Sequence, residues 1–289
     1  MRRRGSQGED IIGQWSEDKL ELLAKYLKAY AIIMGNQKKK WLSSFHYIDA
    51  FAGSIVPILR DEDEERYISG SPLRAIATEP RFDSLWFIDL LPQRIKRLEE
   101  LKQKFPERLI EIRDGNCNQI LKEEIIPSLS RSDRRGIIFL DPYGLQVEWS
   151  TVQALAEART FDIFVNFSIM GLTRQLQRNT LPTQDIRQRI NLVMGNSSWV
   201  DGIYQLESQL SLFEEQSVSR ESLSAEWLAS LYAEQLKILF PHVSNPVIMK
   251  NSKNSALYAL ILASPKESAK KIMNDIFSRY ERLKGNSGF

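Results

Sequence analysis

An open α/β sheet with mostly parallel strands is the fold that the 289-residue sequence predicts. Three observations carry it. Short apolar runs alternate with amphipathic segments of helical length, which implies right-handed crossovers. The most uniformly apolar run, Gly136-Ile137-Ile138-Phe139-Leu140-Asp141, is what a central strand covered on both faces needs. Two strand ends carry short strings rich in Asp and Gly, and in such a sheet the loops leaving the carboxyl ends face one crevice.

In chain order, residues 1–14 are expected to form a basic, flexible tail. Met1-Arg2-Arg3-Arg4-Gly5 is followed by Gln7, Gly8, Glu9 and Asp10, not by the apolar segment of a secretory signal. Leu20, Leu23, Ala24, Leu27 and Ala31 recur at helical spacing and predict a helix over Asp18 to Met34, ending near Gly35-Asn36. A strand over Phe45 to Phe51 follows. The acidic run Asp61-Glu62-Asp63-Glu64-Glu65 then separates its glycine turn from the next helix, with Ser71 as N-cap and Pro72 at the first helical position.

Strand-like Leu85 to Asp89 leads into a helix over Pro92 to Phe105. Strand-like Leu109 to Arg113 leads into one from about Asn118 to Ile126. After Gly136 to Asp141 and another helix, Phe161 to Phe167 repeats the strand pattern. A polar, helical insertion is expected over about 171–240. Val247 to Lys250 and Ala256 to Ala263 read as an antiparallel pair, and Ser264-Pro265-Lys266-Glu267 as a capping box opening the last helix. Residues 15–289 are thus expected to form one domain.

Composition narrows the function classes. Lys and Arg number 39 against 37 Asp and Glu, a formal charge of +2, so a nucleic-acid partner has to be held by a local patch. Arg174 and Arg178, one helical turn apart, are the expected patch, with Arg187 and Arg189 nearby. The single cysteine, Cys117, excludes an internal disulfide framework and points to a reducing cytosol. No apolar stretch approaches the roughly 20 residues of a membrane span. With one cysteine and two isolated histidines there is no zinc ligand set, and no Walker-type glycine–lysine loop occurs.

The chemistry-bearing residues sit at strand ends. In Tyr47-Ile48-Asp49-Ala50-Phe51-Ala52-Gly53, Asp49 is placed to meet an ammonium, Phe51 to wall an adenosine, and Gly53 to let the backbone approach a ligand. Asp89 closes the second strand, where an acid accepts hydrogen bonds from ribose hydroxyls. Asn116 and Asn118, in Asp114-Gly115-Asn116-Cys117-Asn118, offer polar groups to an adenine amine; the same residues suit an ordinary turn and helix cap. In Asp141-Pro142-Tyr143-Gly144 the aspartate and a backbone carbonyl can accept from an amine, Pro142 stiffens the turn, and Tyr143 can stack on a planar base. Together these strings point to S-adenosylmethionine (SAM) chemistry, with alignment and exclusion of water doing most of the work. Three strand-end acids, Asp49, Asp89 and Asp141, also admit a weaker reading as a metal-dependent nuclease site.

With these motifs the chain resembles the three-Cys-motif partner family, through the Lys19-Leu20 helix with Tyr26-Leu27, the Asp49-x-Phe51-Ala52-Gly53 turn, Gly70-Ser71-Pro72-Leu73, Phe87-Ile88-Asp89, the Gly115 to Asn118 turn, Asp141-Pro142-Tyr143-Gly144 and Leu257-Tyr258. The resemblance implies a Rossmann-like class I methyltransferase fold with seven strands, the last reversed. It also implies SAM binding and a partner protein bearing a three-cysteine motif. The expected activity is methyl transfer to a nitrogen of a nucleic acid. Ile55 stands where the family has a second turn glycine, and Asn116 where it has an acid. These two departures motivate the alternative, a methyltransferase-fold module that binds a partner protein or RNA in a mobile-element or phage-defence system.

Overall fold

Alternation between the two faces of a sheet organises the molecule. The computed structural model describes residues 3–4, 10–61, 64–176, 181–204 and 223–286. Seven strands build the main sheet: β1 (Ser44–Asp49), β2 (Ser84–Asp89), β3 (Ile110–Asp114), β4 (Arg134–Leu140), β5 (Phe161–Phe167), β6 (Val247–Lys250) and β7 (Ala256–Ser264). The spatial order is β3-β2-β1-β4-β5-β7, with β6 paired to β7 beyond it. The first five strands are parallel, and β7 runs antiparallel to both β5 and β6. This is the predicted Rossmann-like arrangement with a reversed last strand. One strand was not expected: His242–Val243 pairs with the Ala263–Ser264 end of β7, making the sheet eight-stranded.

In β1, Phe45 and Tyr47 belong to one apolar cluster and Ile48 to the other; in β4, Ile137 and Phe139 face the first while Ile138 and Leu140 face the second. Successive side chains of a strand point to opposite faces, so both faces of the sheet are dry and covered. The long helix α1 (Gln14–Lys38) packs Leu20, Leu23, Leu27 and Ala31 into the first cluster. It runs past Gly35-Asn36, where a stop was expected. Gly35 lies where a Cβ would stand 3.3 Å from Pro80, so this glycine answers a close approach and not a helix end.

Three local expectations are corrected. Gly70, not Ser71, caps the helix Ser71–Ile76. The Ser264 hydroxyl accepts from the Lys266 amide, but Glu267 pairs with Lys271, so no reciprocal capping box forms. Residues expected to be a flexible tail include paired strands: Asp10–Ile12 runs beside Ile58–Asp61, and Ile12 is buried. The acidic run lies partly in the antiparallel pair Ile58–Asp61 and Glu64–Tyr67. Between β5 and the His242–Val243 strand, the described residues hold helices Ile169–Thr173, Gln184–Met194 and Ala225–Leu239. Among the described residues no helix is long and apolar enough to cross a membrane.

Candidate functional site

Register brings the strand-end residues to one rim. Asp49 lies opposite Phe87 of β2 and Phe139 of β4, and Asp89 lies opposite Asp114 of β3. After β3 the chain crosses back to place β4 on the other side of β1. The crevice between the β1 and β4 loops is therefore a topological switch point, where open α/β sheets bind ligands.

A cavity of about 420 Å³ opens there, lined among others by Phe51, Asp89, Asn116, Asn118 and Tyr143. Its size lies in the range of about 300–1,000 Å³ typical of small-molecule sites. Leu90, Leu145, Val147 and Val193 supply apolar walls. Phe51 also lines a second, narrow cleft of about 30 Å³, together with Gly53, Ser71, Lys19 and Asp141. Phe51 thus stands between the two hollows.

Asp89 is buried at the floor of the larger cavity. Its Oδ2 accepts from the Gly53 amide at 3.0 Å and from Arg94 at 3.2 Å, and Oδ1 accepts from the Leu91 amide at 2.8 Å. Gly53 makes this contact with φ of +63°, a left-handed conformation that favours glycine. A carboxylate offers about four lone-pair sites, so these three bonds leave Asp89 room for a further donor. The Arg94 guanidinium also lies over the Tyr143 ring, 5.2 Å from its centroid.

Asn116 and Asn118 serve the fold as well as the cavity. Asn116 Oδ1 accepts from the Asn118 amide and caps the helical run that starts at Cys117. The Asn118 amide group donates to the Gln146 carbonyl at 2.9 Å, while its Oδ1 accepts from the Glu148 amide and the Thr151 hydroxyl. This side chain ties the β3 turn to the loop after β4. We expect Asn118→Ala to lower folding stability by about 2 kcal/mol, since three side-chain hydrogen bonds are lost, one of them to the buried Thr151 hydroxyl. Urea unfolding measures this, and a midpoint within error of wild type would show the clamp to be absent.

Asp141 follows β4 at the narrow cleft. Its Oδ2 accepts from Lys19 Nζ at 2.5 Å, and its Oδ1 accepts from the Asn166 side-chain amide at 2.6 Å. Pro142 is buried and lines neither hollow, whereas Tyr143 is exposed at the mouth of the larger one. Asp49 departs from expectation most. It is fully buried, lines neither hollow, and bonds the Tyr47 hydroxyl and the Phe51 amide. Burial pushes its carboxyl up to about 7, against the pull of the Ser71 hydroxyl bond, and the nearby Asp141 charge adds to the rise. A methionine-type ammonium therefore does not reach Asp49 in this arrangement.

Burial pushes the Cys117 thiol up to about 12, so it lines the cavity as a neutral group. Ile55 turns into the apolar cluster beneath α1, and its carbonyl accepts from the Gly70 amide. A Cβ on Gly70 would stand 2.3 Å from the Ser54 carbonyl oxygen, which is why the loop can fold so closely over this helix start. Among the described residues, no group of three or more His, Cys, Asp or Glu side chains is placed to hold a metal ion.

Sequence reasoning missed Lys19, Asn166 and Arg94. Lys19 carried a signal: it shares the buried helical face of Leu22, Leu23, Tyr26 and Tyr30 at spacings of three, four, seven and eleven. A charge on such a stripe needs a buried partner. Of the expected basic patch, Arg174 is exposed at the end of the helix Ile169–Thr173, and Arg178 lies outside the described residues. Arg189 lines the cavity mouth.

No family model matches the chain, and no curated protein matches it by sequence. Solved structures do resemble it. Protein LPL1258 from Legionella pneumophila is 13% identical with a TM-score of 0.47, the match covering 89% of this chain and 91% of that one. The putative methyltransferase YhhF from Escherichia coli is 11% identical with a TM-score of 0.36, covering 83% and 86%. The N-terminal domain of EvdMO1, crystallised with S-adenosylhomocysteine (SAH), is 10% identical with a TM-score of 0.39, covering 82% and 81%. All three scores lie below 0.5, so the fold rests on the strand order described above.

Proposed function

We propose that this protein is a SAM-dependent methyltransferase that acts on a nitrogen of a nucleic acid. One observation carries the reading: a 420 Å³ cavity with a strand-end carboxylate on its floor lies at the switch point, one aromatic ring away from Asp141. The residues present fit the adenosine part of the cofactor. Asp89 would accept from ribose hydroxyls, Phe51 and Leu90 would pack against adenine, and Asn116 would present its amide to the base edge.

Bound SAM supplies a methyl group on a sulfonium, ready for in-line displacement. The chain's own part is alignment. Asp141, fixed by Asn166, would accept a hydrogen bond from the amine that attacks, and the Pro142 turn keeps that carboxylate from drifting. Apolar walls at Val147 and Val193, both buried, would help to keep water from the bound cofactor. Exposed Arg174 and Arg189 would hold phosphates of the acceptor, and Tyr143 would stack on its base. A partner protein with a three-cysteine motif belongs to the same proposal.

A second reading, a binding module without chemistry, is favoured by one observation. Both oxygens of Asp141 are already engaged, and the cleft beside them has only about 30 Å³. Titration calorimetry separates the two. We expect SAH to bind wild type and Asp89→Ala to bind it 10- to 100-fold more weakly, with labelled methyl passing from SAM to nucleic acid. Folded wild-type protein that gives no heat with SAH would remove the cofactor.

A further inference from the structure

We propose that the amino-terminal edge of the main sheet, at the far end of the strands from the crevice, is a docking surface for a single-stranded stretch of nucleic acid. It does not rest on the methyltransferase reading. Three segments remote in sequence assemble this surface: Lys39, Lys40 and Trp41 follow α1, Arg134 and Arg135 open β4, and Arg159 precedes β5. Register brings them together. Ser43 donates from its amide and its hydroxyl to the Asp133 carbonyl, Ser44 and Phe45 lie opposite Arg134 and Arg135, and the Gly136 amide donates to the Thr160 carbonyl.

Most of the charge at this edge is unmatched at the surface. Lys38 pairs with Asp83 at 2.5 Å and Arg131 with Asp133 at 3.4 Å, whereas Lys39, Lys40, Arg134, Arg135 and Arg159 form no ion pair among the described residues. Arg134 and Arg135 donate to backbone carbonyls instead. Asp162 feels the Arg135 charge from within the core, where Tyr26 and Ser264 hold it. Lys39, Lys40 and Arg159 are exposed. In a chain whose formal charge is only +2, such an excess at one edge makes a local field that attracts a polyanion.

Trp41 decides which polyanion. Its side chain is 46% exposed, yet the ring is fixed, because Nε1 donates to Gln37 Oε1 at 2.8 Å and the Arg135 guanidinium lies 4.6 Å from the ring centroid. A held aromatic face among cations is a platform on which an unpaired base stacks while the flanking phosphates meet lysine and arginine. A duplex keeps its base faces inside the helical stack and cannot use this ring. Strands rise about 3.3 Å per residue, so this edge lies about 20 Å from the crevice and a strand bound here is held apart from the cofactor cavity.

Fluorescence anisotropy with labelled oligouridine, oligothymidine and a hairpin duplex of equal length tests the proposal. We expect wild type to bind the single strands at least about tenfold more tightly than the duplex, and Trp41→Ala to lose about tenfold on them. Lys39→Gln combined with Lys40→Gln should lower the slope of log affinity against log salt by about 1.4, the value for two phosphate contacts on a single strand. All three side chains are exposed, so these variants should unfold at the wild-type urea midpoint. A preference for uridine assigns the surface to RNA and a preference for thymidine to DNA, and either supports it. Folded wild type that binds none of the probes, or binds strand and duplex equally with Trp41→Ala unchanged, overturns it. So does single-strand affinity that survives these variants but falls in Arg174→Ala with Arg189→Ala, which would put the strand at the crevice.

Discussion

Asp141→Ala is expected to cost about 3–5 kcal/mol of folding stability, the range for breaking a buried ion pair by removing one partner. The variant removes the carboxylate that lies 2.5 Å from the Lys19 ammonium, whose side chain is only 4% exposed. The Tyr258 ring, 5.9 Å from Nζ, offers a cation–π contact that is weaker than the ion pair it would have to offset. Lys19 cannot simply turn to solvent, because Leu20, Leu22 and Leu23 hold its helix in the core. Replacing both partners, as Lys19→Met with Asp141→Ala, should recover most of the loss, since an apolar pair of similar volume pays no desolvation. Urea unfolding of the wild type, two single variants and the double variant gives the coupling directly. Additive losses across the cycle would show that the two charges do not depend on each other in solution.

The strands and their mostly parallel direction were largely legible because they depend on pattern. Apolar runs at Phe45 to Ile48 and Gly136 to Leu140 have no alternative place but a covered sheet, and the strand-end strings fall on one rim because parallel strands share a direction. What stayed illegible depended on partners distant in sequence. The hairpin at Ile58–Asp61 and Glu64–Tyr67 carries charges with no apolar period, so it read as a separator. Asn166 is the penultimate residue of β5, and the β4–β5 pairing brings it to Asp141, 25 residues away in sequence.

Asp49 shows the limit most clearly. Its motif position suggested a ligand contact, yet the turn after β1 folds back so that the Phe51 amide donates to Asp49 itself. Sequence spacing gave the right strand end, but the direction of the side chain was set by Tyr47 and by the helix start at Ser71. Asp89, by contrast, kept its expected place. It closes β2 beside a cavity, and its neighbours Leu90 and Leu91 line that cavity as well.

Burial of Asp49 has a consequence in pH. Its folded carboxyl titrates at about 7, above the ordinary 3.8, so between those values the folded state holds a proton that the unfolded chain releases. Stability contributed by this group is therefore complete below about pH 4 and is lost as pH rises through 7. The shift corresponds to about 4 kcal/mol at most. Asp162, buried against Tyr26 and Ser264 and pushed up to about 6, has the same sign, so the wild-type curve falls through both. Asp49→Asn keeps an acceptor for the Phe51 amide, and the Tyr47 and Ser71 hydroxyls can reverse their roles to receive its NH₂ group. We therefore expect the variant to match wild type near pH 4, to gain 2–4 kcal/mol relative to it by pH 8, as roughly set by the shift, and to level off above that. Urea midpoints across pH 4–9 measure the difference; two parallel curves would mean that Asp49 ionises as freely in the folded chain as in water.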